Sequence, residues 1–60
     1  MGRIKAAFMF ITPDSNPEIH RTNISTLEAL DLVVLGVKDY EQAAQVARDL
    51  ASQGVTAIEL

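Results

Sequence analysis

A chain of 60 residues with five basic side chains, eight acidic ones and no cysteine has room for one small domain. A domain of this size buries only about 60% of the surface that its unfolded form exposes. Without cysteine, disulfides and thiolate metal sites are excluded, so oligomerisation is the expected source of additional stability. The positive charges are dispersed, which excludes a nucleic-acid surface.

Uncharged runs, such as residues 6–13 and 50–58, are far shorter than the roughly 20 residues needed to span a bilayer. We therefore expect a cytoplasmic homo-oligomer that binds neither nucleic acid nor membrane. Only one histidine is present, and we expect no metal site and no cofactor. Residues 1–60 are interpreted as a single small α/β domain, or as a fragment of a longer one.

The first predicted element is a buried strand over residues 4–11. It is apolar without alternation from Ala6 to Ile11, a pattern typical of a parallel strand covered on both faces. Residues 12–17 are polar, contain two prolines and predict a loop. Asn16 is a candidate N-cap and Pro17 suits a first helical position, so a short helix is predicted to begin there.

The second half of the chain predicts strand, helix and strand. Residues 32–37 repeat the continuous apolar pattern. Asp39 and Gln42 form a capping-box pair, and Gly54 suits the end of a long helix. Within that helix an apolar stripe starts at Tyr40 and continues mainly with alanines. Residues 55–60 are predicted as the last strand.

These elements predict an α/β fold, a three-stranded, mainly parallel β-α-β-α-β unit with one short and one long helix. Two helices leave part of such a sheet uncovered in any strand order. The uncovered apolar surface again predicts self-association.

Four polar residues near the carboxyl ends of predicted strands are candidates for a site. Thr12 and Asp14 follow the first strand, where a ligand would approach, although turn formation alone also explains such residues beside proline. His20 belongs to the residue type that exchanges protons near neutral pH, and one helical turn would bring it toward Asp14. A partly exposed surface histidine is the alternative.

Glu59 is the sharpest candidate, because it shares a face of the last strand with Val55 and Ala57. A carboxylate on an otherwise apolar face at the carboxyl end of a strand is suited to general acid or base chemistry. The alternative is a frayed terminus at which Glu59 meets water.

Residues 41–59 resemble the first helix and second strand of the keto-deoxy-phosphogluconate aldolase barrels. The similarity runs from Glu41 through the alanine-rich helix to Gly54, and then through the following strand to Glu59. In that family the glutamate at the end of the motif carries a proton during catalysis. The resemblance therefore implies a proton-carrying role for Glu59.

Over its whole length the chain resembles a family of small, uncharacterised prokaryotic α/β proteins. The shared positions are residues 6–10, Asp14, Pro17, 20–21, Val34, 36–38, 40–41 and 54–60. In that family a Cys/Gly-rich loop and a further helix and strand follow the position of Leu60, so the resemblance implies a C-terminal truncation. It brings no established activity.

Two functional hypotheses follow. The first is a small protein that self-associates through sheet faces or edges, without catalysis by this chain alone. The second is an enzyme or small-molecule-binding domain for a polar metabolite, with Glu59 and His20 as proton carriers and Thr12 and Asp14 positioning the ligand. Its pocket would be completed by another subunit. The balance of these features favours the first hypothesis over an enzyme.

Overall fold

A computed structural model describes residues 2–60 and contains four strands and one helix within that range. In chain order these are β1 (Ile4–Ile11), β2 (Arg21–Ser25), β3 (Leu30–Val37), α1 (Tyr40–Ser52) and β4 (Ala57–Glu59). The strands form one sheet in the order β2-β3-β1-β4. β1 runs parallel to both β3 and β4, whereas β2 pairs antiparallel with β3, so the sheet is mixed.

The predicted three-stranded, mainly parallel β-α-β-α-β unit is wrong, because the segment after Pro17 adds a strand instead of a helix. The Asn16 carbonyl accepts hydrogen bonds from the backbone N–H groups of Ile19 and His20, at 3.0 and 2.7 Å. The helical turn stops there. The following residues include β-branched Thr22 and Ile24, which favour extended backbone, and the segment pairs with the free edge of β3.

Arg3 fastens the β2–β3 hairpin to the start of β1. Its guanidinium donates to the carbonyl oxygens of Thr26, Leu27 and Leu30, the last two at 3.1 and 2.9 Å. It also donates to Asp31 Oδ1 at 3.0 Å. Because these acceptors belong to the turn and the first residues of β3, one side chain holds a whole hairpin end in place.

α1 covers one face of the sheet, and the core lies between them. The strand residues in this core are the odd-numbered ones, which share a face because side chains alternate along a strand. The buried core consists of Ala7, Met9, Val33, Leu35, Val37, Ala43 and Leu50. Val46 and Ala47 of α1 pack against it. Tyr40, predicted to lie on the packing stripe, is instead 74% exposed, because the packing face begins one turn later at Ala43.

Both ends of α1 are capped at the predicted residues, although the Gln42 side chain bonds back to Lys38 and not to Asp39. Asp39 Oδ1 accepts a hydrogen bond from the Gln42 backbone N–H at 2.7 Å, and Gln42 Oε1 accepts one from the Lys38 backbone N–H at 2.8 Å. At the other end Gly54 has a φ of 98°, a left-handed conformation that favours glycine. Among residues 2–60, no helix is long and apolar enough to cross a membrane.

The opposite face of the sheet has no helix over it within the described residues, and we call it the open face. It carries the even-numbered residues of β1, β2 and β3, together with the two residues of β4 that pair with Ala6 and Phe8. Its members are Ile4, Ala6, Phe8, Phe10, Thr22, Ile24, Leu30, Leu32, Val34, Ala57 and Glu59.

Candidate functional site

The loop after β1 uses Thr12 and Ser15 to close a turn. The Thr12 backbone N–H donates to the Val37 carbonyl at 2.9 Å, and the Ser15 backbone N–H donates to the Thr12 carbonyl at 3.0 Å. The two hydroxyls are also hydrogen-bonded to each other. Asp14 is exposed at the tip of this turn. Thr12 thus has a structural partner, while the Asp14 carboxylate is available to solvent.

The Phe10 ring and the Ser15 hydroxyl pack against Gly36. This glycine of β3 pairs with Phe10 of β1. A Cβ built at Gly36 would lie 2.6 Å from Phe10 Cζ and 2.7 Å from Ser15 Oγ. Only glycine leaves room for this arrangement. At this point the loop and an aromatic ring partly cover the open face, whereas the rest of the described face is left to solvent.

His20 is exposed and lies where the loop enters β2. Its Nδ1 accepts a hydrogen bond from the Asn16 backbone N–H at 2.9 Å, and its carbonyl accepts one from the Gly36 N–H at 2.8 Å. The first bond fixes the ring against the loop. Because Nδ1 accepts this bond, the neutral ring carries its hydrogen on Nε2, which can donate a hydrogen bond to a ligand.

Glu59 lies on β4, paired with Phe8 of β1. The residue is exposed and borders a shallow groove of about 240 Å³ together with Phe8 and Ala57. The predicted position of this carboxylate on one face with Ala57 is therefore observed. Within one protomer, however, the carboxylate meets water and is not buried.

The structure gathers three of the four predicted site residues into the loop and leaves Glu59 apart from them. Thr12, Asp14 and His20 belong to the segment that runs from β1 across to β2, on the β3 side of the sheet. Glu59 is on β4, on the other side of β1. The groove beside Glu59 is not lined by His20. Their proposed chemical roles stay predictions.

The electrostatics of the described residues centre on the Arg3–Asp31 pair. The guanidinium lies 3.0 Å from Asp31 Oδ1. The hydrogen bond from Arg3, and after it one from the Ser25 hydroxyl, lowers the pKa of Asp31 below its ordinary value. Within the part of the chain that the structure covers, no three His, Asp or Glu side chains are grouped as a metal would require.

The open face is the uncovered apolar surface that the sequence predicted. The four large apolar side chains Ile4, Phe8, Phe10 and Ile24 are between 46 and 58% exposed on it. A contiguous apolar surface of this kind usually marks an interaction site. Continuous apolarity of β1 indicated two buried faces, but only one of them is covered in the single chain.

Residues 4–60 match a family model described as a family of unknown function, DUF6506. The chain belongs to this family. No curated protein and no solved structure matches it.

Membership of the DUF6506 family confirms the expectation of a family of unknown function spanning the chain. The resemblance of residues 41–59 to aldolase barrels finds no support in this match, nor does the expectation of a prokaryotic source. Because the function of the DUF6506 family is unknown, the function of this chain has to be argued from its surfaces.

Proposed function

We propose that this DUF6506 protein is a cytoplasmic α/β protein that self-associates by burying its open face against the open face of a second copy, without catalysis by a single chain. The observation that carries the proposal is the exposure of Phe8 and Phe10, at 49 and 46%, on an apolar sheet face. Burial of such side chains is the main favourable term in association.

The area of the open face is that of a weak dimer of two copies. The four strands have 8, 5, 8 and 3 residues, so at about 3.3 Å per residue and a spacing of about 4.8 Å they give a face of roughly 380 Å². Two copies would together bury about 760 Å², less than the roughly 1,000 Å² expected of a stable specific interface. Such an interface suits a weak dimer that dissociates on dilution.

The charge distribution also supports face-to-face association. Glu59 is the one charged member of the open face, and it lies on β4 at the edge of the sheet. The centre of the face is formed by Phe8, Leu32 and Val34. An apolar centre with a polar rim is the usual composition of a protein interface. A carboxylate at the rim stays hydrated, so no charge needs to be buried.

The placement of the candidate residues supports the absence of catalysis by one chain. A proton-carrying pair requires both groups within reach of one substrate. Glu59 and His20 lie on opposite sides of β1, and the groove beside Glu59 is not lined by His20.

The test is the solution mass by light scattering, combined with circular dichroism over a dilution series. We expect the wild-type chain to be a dimer that dissociates on dilution. Phe8→Lys places a charge at the centre of the open face and should give a monomer. Leu27→Lys is the matched control, because Leu27 is 98% exposed at the hairpin turn and lies off that face, so this variant should dimerise like the wild type.

A wild-type chain that stays folded and monomeric at every concentration contradicts the second copy as the occupant. The cover would then be a further polypeptide segment or another protein. Dimerisation of Phe8→Lys with unchanged affinity would also overturn the proposal, because association would then use another surface, such as the edge of β2 or β4.

The groove beside Glu59 favours a second candidate function, a small-molecule site shared between subunits. This groove opens on the open face, so a second copy seated there would enclose the Glu59 carboxylate and complete a pocket for a polar metabolite. Glu59 would act as the proton carrier, and His20, Thr12 and Asp14 would have to come from the partner.

Deuterium incorporation at the α-carbons of dihydroxyacetone in D₂O tests this second function. Glu59→Gln should leave assembly intact and remove any exchange that the protein accelerates. Glu28→Gln, at the exposed hairpin turn, is the matched control and should retain it. Equal exchange in both variants would exclude a proton-carrying role for Glu59.

A further inference from the structure

A cleft opens on the helix-covered side of the sheet, between α1 and β2. It has a volume of about 370 Å³, within the roughly 300–1,000 Å³ typical of small-molecule sites. Val33 lies on the sheet beneath it, and Leu50 and Val55 contribute apolar walls. Its polar lining consists of Lys5, Arg21, Asn23, Ser25, Asp31 and Gln53.

The cleft exists because β2 extends the sheet beyond the width that α1 covers. A helix with its side chains is about 10–12 Å across, whereas four strands span roughly 19 Å. α1 packs on β1 and β3. The helix-facing side of β2 therefore lies beside α1 and is not covered by it.

The polarity of β2 is the reverse of what a strand in a two-layer fold normally shows. Its side chains toward the helix layer are Arg21, Asn23 and Ser25, which pair with Leu35, Val33 and Asp31 of β3. Its apolar residue, Ile24, lies on the open face. A strand that only completed the core would place its apolar side chains toward the helix. A row of hydrogen-bond donors there is suited to a polar ligand.

The charges in the cleft favour an anion. Lys5 and Arg21 bring two cations, while the single acid among the lining residues, Asp31, is already paired with Arg3. The bond found for Lys5 Nζ is a long one, 3.4 Å, to the Gln53 carbonyl. Arg21 forms no ion pair within the described residues. Neither cation forms an ion pair with a described residue of the cleft, although Lys5 lies close enough to Asp31 to contribute to the lowering of the pKa of that carboxyl.

The surroundings also limit the size of the ligand. Glu18 and Asp49 line an adjoining pocket of about 180 Å³ on the loop side of Arg21. These carboxylates would repel an extended polyanion. Lys5 and Arg21 lie four residues apart in register on strands two places apart, which puts their Cα atoms about 16 Å from each other. Their long side chains reach inward from opposite ends.

We propose that this cleft binds a small organic di-acid, with one acidic group held by Lys5, the other by Arg21, and the body of the molecule bonded by Asn23. The site is on the opposite side of the sheet from the open face. It therefore goes beyond the proposed self-association and does not depend on it.

The test is a titration of the ¹⁵N-labelled full chain with succinate, followed by amide chemical shifts. Succinamide is the uncharged match. We expect saturable shifts at Asn23, Ser25, Val33 and Gln53 with succinate at millimolar concentration, and none with succinamide. Arg21→Gln should weaken binding at least about tenfold. Arg48→Gln removes the same charge from the exposed surface of α1 and should leave binding unchanged.

Lys5→Gln is a second variant that tests the other end of the cleft, and it should also weaken binding about tenfold. Absence of saturable shifts in the wild-type chain, or equal responses to succinate and succinamide, would overturn the proposal. So would unchanged binding in both Arg21→Gln and Lys5→Gln. Phe8→Lys should still bind succinate. A failure of the binding proposal can therefore be distinguished from a failure of the self-association proposal.

Discussion

The two faces of this sheet are built from the same two central strands but have different surroundings. On the helix side Leu35 and Val37 are fully buried under α1. On the open face Phe8 and Phe10 of β1 are about half exposed, although they are the larger side chains. The comparison shows that apolar residue type alone does not decide burial. What decides it is which face the single helix of the described residues covers.

The largest expected effect is on the covered face. Leu35→Ala should lower the free energy of unfolding by about 2–5 kcal/mol, because it deletes a fully buried side chain. A domain this small has little stability to lose. Leu32→Ala on the same strand is the matched control, because Leu32 is only partly buried on the open face. Urea unfolding followed by circular dichroism measures both.

At low protein concentration Leu32→Ala should lower the free energy of unfolding clearly less than Leu35→Ala does. If the open face is buried between two copies, the cost of Leu32→Ala should rise with protein concentration, since folding and association are then linked. Equal losses of stability in Leu35→Ala and Leu32→Ala at every concentration would show that the two faces are equally buried, which would contradict the structure.

A smaller effect is expected at Gly36, where the open face is locally packed. Gly36→Ala should destabilise the chain by about 1–3 kcal/mol, because the new Cβ collides with the Phe10 ring and the Ser15 hydroxyl. Gly2→Ala is the control, because nothing lies within 4 Å of a Cβ there. Thermal or urea unfolding reports both. The double variant Phe10→Ala/Gly36→Ala should recover part of the loss, and a strictly additive result would contradict the packing described.

The smallest expected effect is on how the folding stability depends on acidic pH, and it arises at the Arg3–Asp31 pair beside the β2–β3 hairpin. Because Arg3 lowers the pKa of Asp31 in the folded chain, the pair stabilises the fold above the unfolded-state value near 3.8. That contribution is lost as the pH falls through the lower folded-state pKa. Asp31→Asn should therefore make the stability less dependent on pH in this acidic range. Arg3→Gln should do the same. Urea midpoints across pH 2 to 5 measure this effect, and a wild-type dependence on pH retained by both variants would show that the pair does not contribute.

The positions of β1 and α1 were predictable from the sequence because each has a local signal. β1 is a long apolar run, and α1 has its Asp39 cap at one end and Gly54 at the other. β2 was missed, because residues 21–25 are all exposed and show no apolar run. Their extended form is imposed by pairing with β3, a tertiary effect that overrides the helix signal at Asn16 and Pro17.

The candidate site was predictable only in part, for a related reason. The alternation that puts Glu59 on one face with Ala57 is local and is observed. The separation of Glu59 from His20 depends on the strand order, and no local pattern encodes that order. The cleft beside β2 depends on the same order and on how wide a sheet one helix covers. Neither the separation of Glu59 from His20 nor the cleft can be predicted until the strand order is known.

The central position of β1 has a consequence for how the chain reaches its fold. β1 comes first among the strands, yet both of its neighbours in the sheet, β3 and β4, come later in the sequence. During synthesis the apolar β1 segment therefore stays unpaired until β3 has been made. β2 and β3, in contrast, need only a short turn to form a hairpin. We expect that hairpin to assemble first and to act as the template onto which β1 docks, with β4 closing the sheet last. Long-range parallel pairing of this kind is slow, so this chain should fold more slowly than a helical domain of similar length.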